Sequence, residues 1–421
     1  MIALILKEHL LWVRSDGRGV LSRYYYYDWI TWVVGLVALA WLMWFLVRRY
    51  RLARARRRPA RRIDRALLKR VVRVKSELSE RYLRPGFSAN IHAVGVGKLD
   101  DGVTYCVQIF IRDANDELWA GAPPLPNNYR GVPLLLIEMP VAAFLSDAAV
   151  ERATPSSYRN GIRERQEVII GGISGANTNL TGQSGTIGYF CTRKSRFPRR
   201  KEIHLLSNSH VFADLSRAAV DANDLILQPS PGEHDSSRPI AALVNYSALK
   251  FDGDTREPNH VDAAIARLWE THRHKPVIPL IGAVKGYAAK PEVDVNEPAR
   301  KFGRTTGYTE GRVFSIYLDI WIRYDRTGQS AFFQNQFLIE PTLPEFTKFV
   351  SKGDSGSLLV DNEQYATGLI FAGTSELPEA LQTSQDGQAG ADTDKVKRIE
   401  GYGVANPISE VLERLNIELL I

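Results

Sequence analysis

Gly353-Asp354-Ser355-Gly356-Ser357 is the stretch on which the interpretation of this chain depends, and it runs into the apolar residues 358–360. A serine hydroxyl is a weak nucleophile that needs a base for its proton, a group that orients the base, and donors for the oxyanion. Glycines beside a serine permit a tight turn that exposes Oγ and directs backbone N–H groups at one point. By itself such a string is more typical of a surface turn, so the nucleophile hypothesis depends on the rest of the chain.

The partners that a serine nucleophile requires occur upstream in a definite order. His210 ends a short apolar, strand-like run, and Asp262 is the lone acid inside the apolar residues 261–266. An isolated histidine is more often structural, but a carboxylate in an apolar segment is costly to bury unless it is paired. The order His210, Asp262, Ser355 is that of the chymotrypsin-type triad and differs from the orders in subtilisin and the α/β-hydrolases.

Further segments give the chain a specific resemblance to a known family. It resembles the trypsin-like (chymotrypsin-fold) serine peptidases, in particular a bacterial branch that is also similar to plant proteins of the narrow-leaf type. The resemblance covers roughly residues 90–421. It is carried by Ser207-Asn208-Ser209-His210-Val211, Asp224-Leu225-Ile226-Leu227-Gln228-Pro229, Val261-Asp262-Ala263-Ala264-Ile265-Ala266, Gly303-Arg304-Thr305-Thr306-Gly307, Gly353-Asp354-Ser355-Gly356-Ser357, Gly368-Leu369-Ile370-Phe371-Ala372-Gly373 and Ala405-Asn406-Pro407-Ile408 with Val411-Leu412.

The resemblance implies a mainly β fold for residues 161–421, a chymotrypsin-like double β-barrel. It implies His210 as general base, Asp262 as the group that orients it, and Ser355 as nucleophile. The backbone N–H groups of Gly353 and Ser355 would form the oxyanion hole. The implied chemistry is hydrolysis of a protein or peptide through an acyl-enzyme, with no cofactor and no metal.

Cysteine usage is typical of a reducing compartment. The chain of 421 residues has two cysteines, Cys106 and Cys191, far apart in sequence. Buried thiols are therefore favoured over a disulfide. No Cys/His spacing resembles a zinc site, and the two histidines of residues 272–274 are more typical of a solvated loop.

The positive charge is concentrated in one segment. The formal net charge is +7, and residues 48–62 hold nine arginines without an acid, so that removing those nine charges turns +7 into −2. The globular part is then nearly neutral, which argues against specific nucleic-acid binding. Binding of nucleic acid by the arginine run is the alternative, and it would weaken steeply with salt.

An uncharged run at residues 29–47 follows an N-terminal flank, residues 1–28. As a helix it would be roughly 28 Å long, close to the hydrocarbon thickness of a bilayer. Tryptophans toward its ends are typical of the membrane interface. We predict one transmembrane helix; a buried core helix and a cleaved signal peptide are the alternatives. Against a signal peptide, arginines follow the run where a small-residue cleavage site would stand.

The charge on the two flanks predicts the orientation of this span. The positive-inside rule places the C-terminal body in the cytoplasm, with the arginines against anionic lipid of the inner leaflet. Together with the bacterial resemblance, this predicts a single-pass protein of the bacterial inner membrane with a cytoplasmic protease domain.

Residues 48–86 combine the basic run with a predicted amphipathic helix, which Pro85-Gly86 ends. Apolar residues recur at spacings of four and three, with charged residues between them. They are Ile63, Leu67, Val71, Val74, Leu78 and Tyr82. We expect this stripe to pack on the protease body in preference to a sister helix.

Residues 87–160 are predicted to form a small α+β module. Alternation over residues 103–111 predicts a strand, residues 132–137 form a second apolar run, and residues 141–152 have a helix-like pattern. The family resemblance includes such a module, whose role these residues do not define.

Beyond residue 160, short strands with Gly-rich turns predict an all-β domain. The predicted strands are 189–192 and 203–206 in the first barrel and 312–322 and 331–339 in the second, which begins near Lys301. The polar residues 375–398 are predicted to form an inserted mobile loop. Residues 408–415 are predicted to form a closing helix.

Ile169-Ile170-Gly171-Gly172 resembles the new N-terminus that is released when trypsin-like zymogens are cut, where the free amine pairs with the acid beside the nucleophile. That acid is Asp354 here. The residues before the motif are Glu167-Val168, with Arg165 the nearest basic residue, so an ordinary glycine turn is favoured. Asp354 then requires another partner.

The specificity pocket is expected six residues before the nucleophile, at Phe349, with Phe371, Ala372 and Gly373 as its opposite wall. No Asp or Glu occupies residues 346–353 to pair with a cationic side chain. We therefore predict an apolar or small P1 residue. The alternative is that Phe349 only packs beneath the turn and leaves a shallow, permissive pocket.

These features together predict a membrane-anchored cytoplasmic serine endopeptidase. The alternative is an inactive or partner-activated protease scaffold that acts as a binding or signalling module, for example in bacterial stress response or antiphage defence. The residues do not define the substrate or the oligomeric state.

Overall fold

The structure of the chain is a computed structural model, in which not every residue is described. The described residues are 32–47, 56–59, 63–85, 87, 90–116, 125–144, 161–180, 182–195, 202–217, 219–221, 223–231, 233, 237–251, 257–324, 328–342, 344–374 and 397–421. The chain divides into two compact units, Met1–Arg56 and Arg57–Ile421. The predicted flank at residues 1–28 and most of the predicted inserted loop lie outside the described residues.

In the first unit the described secondary structure is one helix, α1, at residues 32–47. Every residue in it is apolar, and nearly all are exposed, Trp32 at 74% and Trp41 at 63%. Among the described residues, no helix has both the length and the apolar character that a membrane crossing requires. Residues 29–31 of the predicted span lie outside the described residues.

The second unit is mainly β, as predicted. Its helices are α2 (Arg65–Tyr82), α3 (Ser209–Phe212) and α4 (Ile408–Arg414), with a 3-10 turn at Lys290–Glu292. Its first twelve strands are β1 (Ile91–Lys98), β2 (Tyr105–Ile111), β3 (Asn128–Tyr129), β4 (Val132–Glu138), β5 (Ala143–Phe144), β6 (Val168–Ile169), β7 (Ile173–Ser174), β8 (Ala176–Asn177), β9 (Thr186–Ile187), β10 (Tyr189–Arg193), β11 (His204–Ser207) and β12 (Leu225–Gln228).

The other twelve strands follow the same chain order. They are β13 (Arg238–Tyr246), β14 (Ala264–Leu268), β15 (Arg273–His274), β16 (Gly286–Tyr287), β17 (Pro298–Gly303), β18 (Gly307–Tyr324), β19 (Gln329–Pro341), β20 (Leu358–Val360), β21 (Tyr365–Gly373), β22 (Lys397–Arg398), β23 (Gly403–Pro407) and β24 (Ile417–Leu419).

Six strands of the larger sheet close into a ring. β17 pairs with β20, β20 with β21, β21 with β23, β23 with β19, β19 with β18, and β18 returns to β17. A closed ring of strands has no unpaired edge. It contains the strands predicted for the second barrel and begins at Pro298, close to the predicted start at Lys301.

The strand β18 is long enough to pair with two sets of neighbours. Residues 307–312 pair with β17, and residues 316–320 pair with β1. β1 pairs with β2, and β2 pairs in parallel with β4. The strands predicted for the 87–160 module therefore continue the sheet of the ring, within the same compact unit. The boundary at residue 160 stays a prediction.

A second sheet has seven strands in the order β24, β10, β11, β14, β13, β12 and β8. It contains both strands that were predicted for the first barrel. Phe190, Leu206 and Ile265 of this sheet are buried in one hydrophobic cluster, and the closing helix α4 adds Val411 to it.

Helix α2 begins where the Asp64 carboxylate accepts the backbone N–H groups of Ala66 and Leu67 at 3.0 and 3.1 Å. Its buried face packs on β1 and β2, and its Lys75 pairs with Asp319 of β18 at 2.7 Å. The helix therefore contacts strands of the predicted 87–160 module and of the predicted protease body, and its preference over a sister helix stays a prediction. The predicted stripe was wrong at its second residue. Leu67 is 41% exposed, and Leu68 is buried in its place.

Three local predictions need correction. Val103, predicted to be part of a strand, precedes β2 and is 74% exposed in a turn. Ala143–Phe144, predicted to be helical, forms the short strand β5 between β18 and β21, while residues 145–152 lie outside the described residues. Lys397–Arg398, predicted to end the inserted loop, forms β22 and pairs in parallel with β4.

Candidate active site

The structure brings His210 and Asp262 into direct contact. Ser207 in β11 lies opposite Ala264 in β14. His210 follows Ser207 and Asp262 precedes Ala264, so the two residues meet at the same end of this strand pair. The Nδ1 atom of His210 shares a hydrogen bond with Oδ2 of Asp262, and both side chains are completely buried. The backbone N–H of Ser209 donates to Oδ1 of Asp262 at 2.6 Å. These bonds fix the imidazole ring and satisfy both carboxylate oxygens.

A buried asparagine holds Asp262 from the other side, and no role was predicted for it. Asn406 in β23 accepts the backbone N–H of Asp262 at 3.0 Å, and its Nδ2 donates to the carbonyl oxygens of Asp262 and Leu369 at 3.2 and 3.3 Å. Asn406 therefore connects Asp262, which precedes β14 of the seven-stranded sheet, to β21 of the ring. The only sequence signal was a polar residue in the otherwise apolar residues 403–408.

Ser355 lies in a turn whose conformation requires glycine. Gly353 and Gly356 have φ values of 97° and 95°, in the left-handed region where other residues are strained. A Cβ on Gly356 would overlap the carbonyl oxygen of Thr186, and one on Gly353 would overlap the guanidinium of Arg304. The turn is thus pressed against its neighbours. The tight turn predicted around the nucleophile candidate is therefore present, although Ser355 is buried in it and not exposed as expected.

Thr186, for which no role was predicted, joins this turn to the segment that carries His210. Its backbone N–H donates to the Ser355 carbonyl at 2.8 Å, and its Oγ1 donates to the Gly353 carbonyl at 2.9 Å. Ser207, three residues before His210, donates through Oγ to the Thr186 carbonyl at 2.8 Å. One residue of the first half of the chain thereby positions both candidate catalytic segments.

The side chain of Ser355 is completely buried, and its Oγ donates to the carbonyl oxygen of Phe371 at 3.2 Å. His210 is also completely buried. In this conformation neither side chain is accessible to solvent.

Asp354, beside Ser355, has an internal cation as its partner. Lys301 Nζ lies 3.1 Å from its Oδ2, and the backbone N–H groups of Thr305, Thr306 and Ser351 donate to the carboxylate at 2.9, 3.1 and 2.9 Å. Burial opposes ionisation, but the Lys301 charge and these hydrogen bonds together hold the pKa of the Asp354 carboxyl below its ordinary value. Lys301 is the partner that the sequence left unidentified.

The segment that resembles a zymogen cleavage product is an internal part of the fold. Ile169 lies in β6, which pairs in parallel with β15, and the N–H of Gly171 donates to the Val277 carbonyl at 2.9 Å. These contacts agree with the ordinary-turn alternative.

Arg304 is a further residue at the turn that the sequence did not single out. Its guanidinium pairs with Glu233, and its Nη1 donates to Thr305 Oγ1 at 3.0 Å. Thr305 Oγ1 in turn donates to the carbonyl of Lys352, the residue before Gly353, at 2.6 Å. This chain of contacts braces the predicted oxyanion hole.

The residues predicted to line the specificity pocket are buried in two different hydrophobic clusters. Phe349 packs with Val350 in the cluster beneath α2. Phe371 and Ala372 lie in another cluster, where the Phe371 ring is 4.7 Å from that of Phe333. A Cβ on Gly373 would meet Cγ2 of Val350 at 2.5 Å, so Val350 fills the space beside that wall. The pocket assignment stays a prediction.

Both cysteines are buried free thiols, as predicted. Burial raises the pKa of the Cys106 thiol to about 12. Within the described ranges, no group of three or more His, Cys, Asp or Glu side chains is arranged to hold a metal ion.

Comparison with known proteins gives structural neighbours only. No family model and no curated protein matches the sequence. Similar solved structures include a glutamic acid specific serine protease, at 13% identity and a TM-score of 0.36, over 60% of this chain and 100% of that one. Protease A of Thermobifida fusca matches at 15% identity and a TM-score of 0.36, over 60% of this chain and 98% of its own.

A Nocardiopsis protease matches at 15% identity and a TM-score of 0.36, over 60% of this chain and 99% of its own. The class that these neighbours share is that of the serine proteases of chymotrypsin type. Similarity this low does not assign chemistry to the candidate site, so the contacts between its own residues are the basis for any assignment.

Proposed function

We propose that this protein is a serine endopeptidase with His210, Asp262 and Ser355 as its catalytic triad. The observation that carries the proposal is the buried hydrogen bond between His210 Nδ1 and Asp262 Oδ2. A carboxylate is an obligate acceptor, so Nδ1 carries the proton and Nε2 is the atom that can act as a base. The glycine-flanked turn that holds Ser355 is tied through Thr186 to the strand that leads to His210.

The proposed reaction begins when Ser355 Oγ attacks the carbonyl carbon of a peptide bond while His210 takes the hydroxyl proton. Asp262 stabilises the imidazolium that forms. The N–H groups of Gly353 and Ser355 bind the oxyanion, at about 3 to 4 kcal/mol for each donor. His210 then gives its proton to the departing amine. Water hydrolyses the acyl-enzyme by the same steps in reverse order, which restores the serine hydroxyl.

A second candidate function is that of a partner-activated protease scaffold. Complete burial of Ser355 and His210, with the serine hydroxyl directed at the Phe371 carbonyl, favours it. A binding event that withdraws the covering residues and turns Oγ toward His210 would switch such a protein on. In that form the scaffold would serve signalling, in bacterial stress or defence.

We further propose that residues 29–47 anchor the chain in the bacterial inner membrane, with the peptidase in the cytoplasm. Support comes from α1, whose residues are all apolar and nearly all exposed, and from the arginine run that follows it. The exposed Ser76 on α2 is a suitable position for a reporter thiol because both native cysteines are buried.

The topology is tested with Ser76→Cys in intact cells. A cytoplasmic position predicts protection from a membrane-impermeant thiol reagent until the cells are opened, while labelling in intact cells would reverse the proposed orientation. Recovery of the full chain in the soluble fraction would contradict the anchor.

The peptidase function is tested by mapping new protein N-termini in cells that express the wild type or Ser355→Ala. Cleavages that occur only with the wild type support the endopeptidase and reveal its substrates. Identical sets of N-termini would favour the inactive scaffold.

A further inference from the structure

One arginine of the basic run, Arg58, is buried inside the second unit. Its side chain is 1% exposed, whereas its neighbour Arg57 is exposed. Nη1 of Arg58 lies 2.7 Å from Oε2 of Glu297 and 3.0 Å from Oδ2 of Asp361, and its Nη2 donates to the Glu292 carbonyl. A guanidinium with several fixed donors suits a site with two carboxylates and a carbonyl.

The backbone of the same segment is also attached to the sheet. The N–H of Arg58 donates to the Tyr287 carbonyl at 2.9 Å, and Arg57 forms a parallel bridge with Tyr287. Tyr287 belongs to β16, which pairs with β21. The segment therefore extends the sheet beside β16. The neighbour of β16 is β21, which contains Phe371, the residue whose carbonyl accepts the Ser355 hydroxyl.

The two acids that hold Arg58 flank two strands that lead to the nucleophile turn and to its partner Lys301. Glu297 immediately precedes β17, and Asp361 immediately follows β20. These strands are antiparallel neighbours, with Arg300 opposite Val360, so both acids lie at the same end of the pair. Arg58 joins the two strands at that end.

The nucleophile turn lies at the opposite end of the same strand pair. β17 contains Lys301, and Asp354 and Ser355 immediately precede the approach to β20. The ion pair of Lys301 with Asp354 joins the strands there. The separation of β17 and β20 at the Arg58 end therefore influences the distance between Lys301 and Asp354 at the other end.

The buried carboxylates of Glu297 and Asp361 depend on the positive charge of Arg58. The side chains of Glu297 and Asp361 are 7% and 2% exposed. Two buried carboxylates facing the vacated position would repel each other and lack solvation. Withdrawal of Arg58 would therefore separate the strand ends or admit water between them.

We propose that Arg58 is a positioning residue for the nucleophile turn: the turn is fixed only while Arg58 is seated between Glu297 and Asp361. This inference rests on the proposed peptidase function for its effect on catalysis. It makes the segment at Arg57–Arg58 an internal ligand of the catalytic unit, so that any event that withdraws the segment lowers the reactivity of Ser355.

The test uses the full chain in detergent, with Arg58→Ala and, as matched control, Arg73→Ala at an exposed position of α2. Two readouts are taken under conditions where both variants are folded by circular dichroism. The first is the rate of Ser355 phosphonylation by a fluorophosphonate. The second is hydrogen exchange at residues 301–307 and 350–357, compared with exchange at residues 204–207 and 264–268 of the other sheet.

We expect Arg58→Ala to slow phosphonylation at least about tenfold and to accelerate exchange at the nucleophile turn while leaving the other sheet unchanged. Ethylguanidinium, which has the atoms that the substitution removes, should restore both readouts, and Arg73→Ala should resemble the wild type. Wild-type rates in Arg58→Ala, or faster exchange in both sheets to the same extent, would overturn the inference.

A second variant keeps the test decisive if Arg58→Ala does not fold. Arg58→Lys retains the charge but not the planar fork, and it should show the same local pattern at smaller amplitude. If the wild type itself is not phosphonylated, the proposed peptidase fails. The exchange pattern and its rescue by ethylguanidinium then still decide whether Arg58 holds the turn.

Discussion

Lys301 Nζ lies 3.1 Å from the Asp354 carboxylate, and both side chains are completely buried. This ion pair fixes the residue next to the candidate nucleophile with a cation that the folded chain supplies itself. No chain cleavage is then needed to provide a free amine for Asp354.

We expect Lys301→Met to be strongly destabilising and to abolish turnover, because removing one partner of a buried ion pair costs about 3 to 5 kcal/mol. Lys301→Arg keeps the charge and should retain part of both properties. Urea unfolding of the two variants measures the difference. Stability of Lys301→Met within 1 kcal/mol of the wild type, as an order-of-magnitude threshold, would contradict a stabilising role for the pair.

The same pair predicts a dependence on pH. The folded-state pKa of Asp354 is below its ordinary value. Its contribution to stability is therefore complete above the ordinary pKa of about 4 and is lost as the pH falls through the lower folded value. Lys301→Met removes the cation that lowers this pKa, so the loss of stability with falling pH should be smaller than in the wild type. Unfolding profiles of the two proteins between roughly pH 2 and 7 would show this difference.

Asn406→Leu should impair both stability and turnover. The change removes the donor to the Asp262 and Leu369 carbonyls and the acceptor of the Asp262 N–H. Each buried group left without a partner costs about 1 to 3 kcal/mol. The exposed Asn362 provides the control, since Asn362→Leu leaves these groups paired. Equal turnover in the two variants would show that Asn406 does not position Asp262.

His92, in β1, should make the fold sensitive to acid. Its ring is buried, and burial lowers its pKa from 6.5 to about 4. The unfolded chain binds a proton in that interval while the folded chain does not, so stability falls as the pH decreases from 6.5 toward 4. The full loss amounts to about 3 kcal/mol. His92→Gln should flatten this part of the profile, whereas His260→Gln, at an exposed position, should not.

The substrate preference should be for an apolar or small P1 residue. Phe349 is completely buried, and Lys301 Nζ lies 6.0 Å from the centre of its ring. Because Asp354 is already paired with Lys301, a cationic P1 side chain would find no acid of its own there. Its desolvation would be unfavourable by several kcal/mol. A peptide library decides between the alternatives. Flat selectivity would support the shallow pocket, and strong preference for Arg or Lys would exclude the prediction.

Local patterns were sufficient to predict several elements of the second unit. Strand alternation and glycine turns located β10, β11, β18, β19 and the tight turn at Ser355. The phase of the helical stripe was less secure, because Leu67 and Leu68 are both apolar and only packing on β1 and β2 decides which is buried. Val103 is a similar case at a strand end. It continues the alternation of apolar residues in the sequence, but it lies in the turn before β2.

Contacts between distant segments were not predictable from local patterns. In the sequence, Lys301 cannot be distinguished from any other lysine in a strand. Its role depends on the fold, which places it beside Asp354, 53 residues away. Arg58 belongs to a run that is typical of a solvated or lipid-facing segment, yet it is paired with acids 239 and 303 residues away. The continuation of β18 by β1 is equally non-local. In each case long-range pairing determines the role, and residue type alone does not.

The central claim is that Ser355 is a nucleophile activated by His210, and it is tested most directly by fluorophosphonate labelling. Membranes from cells that express the full chain are treated with the probe, and the modified peptide is identified by mass spectrometry. The account predicts labelling at Ser355 that is abolished in both Ser355→Ala and His210→Ala, with turnover in the double variant no lower than in the worse single variant. Wild-type Ser355 that remains unmodified, or labelling that is unchanged in His210→Ala, would contradict it.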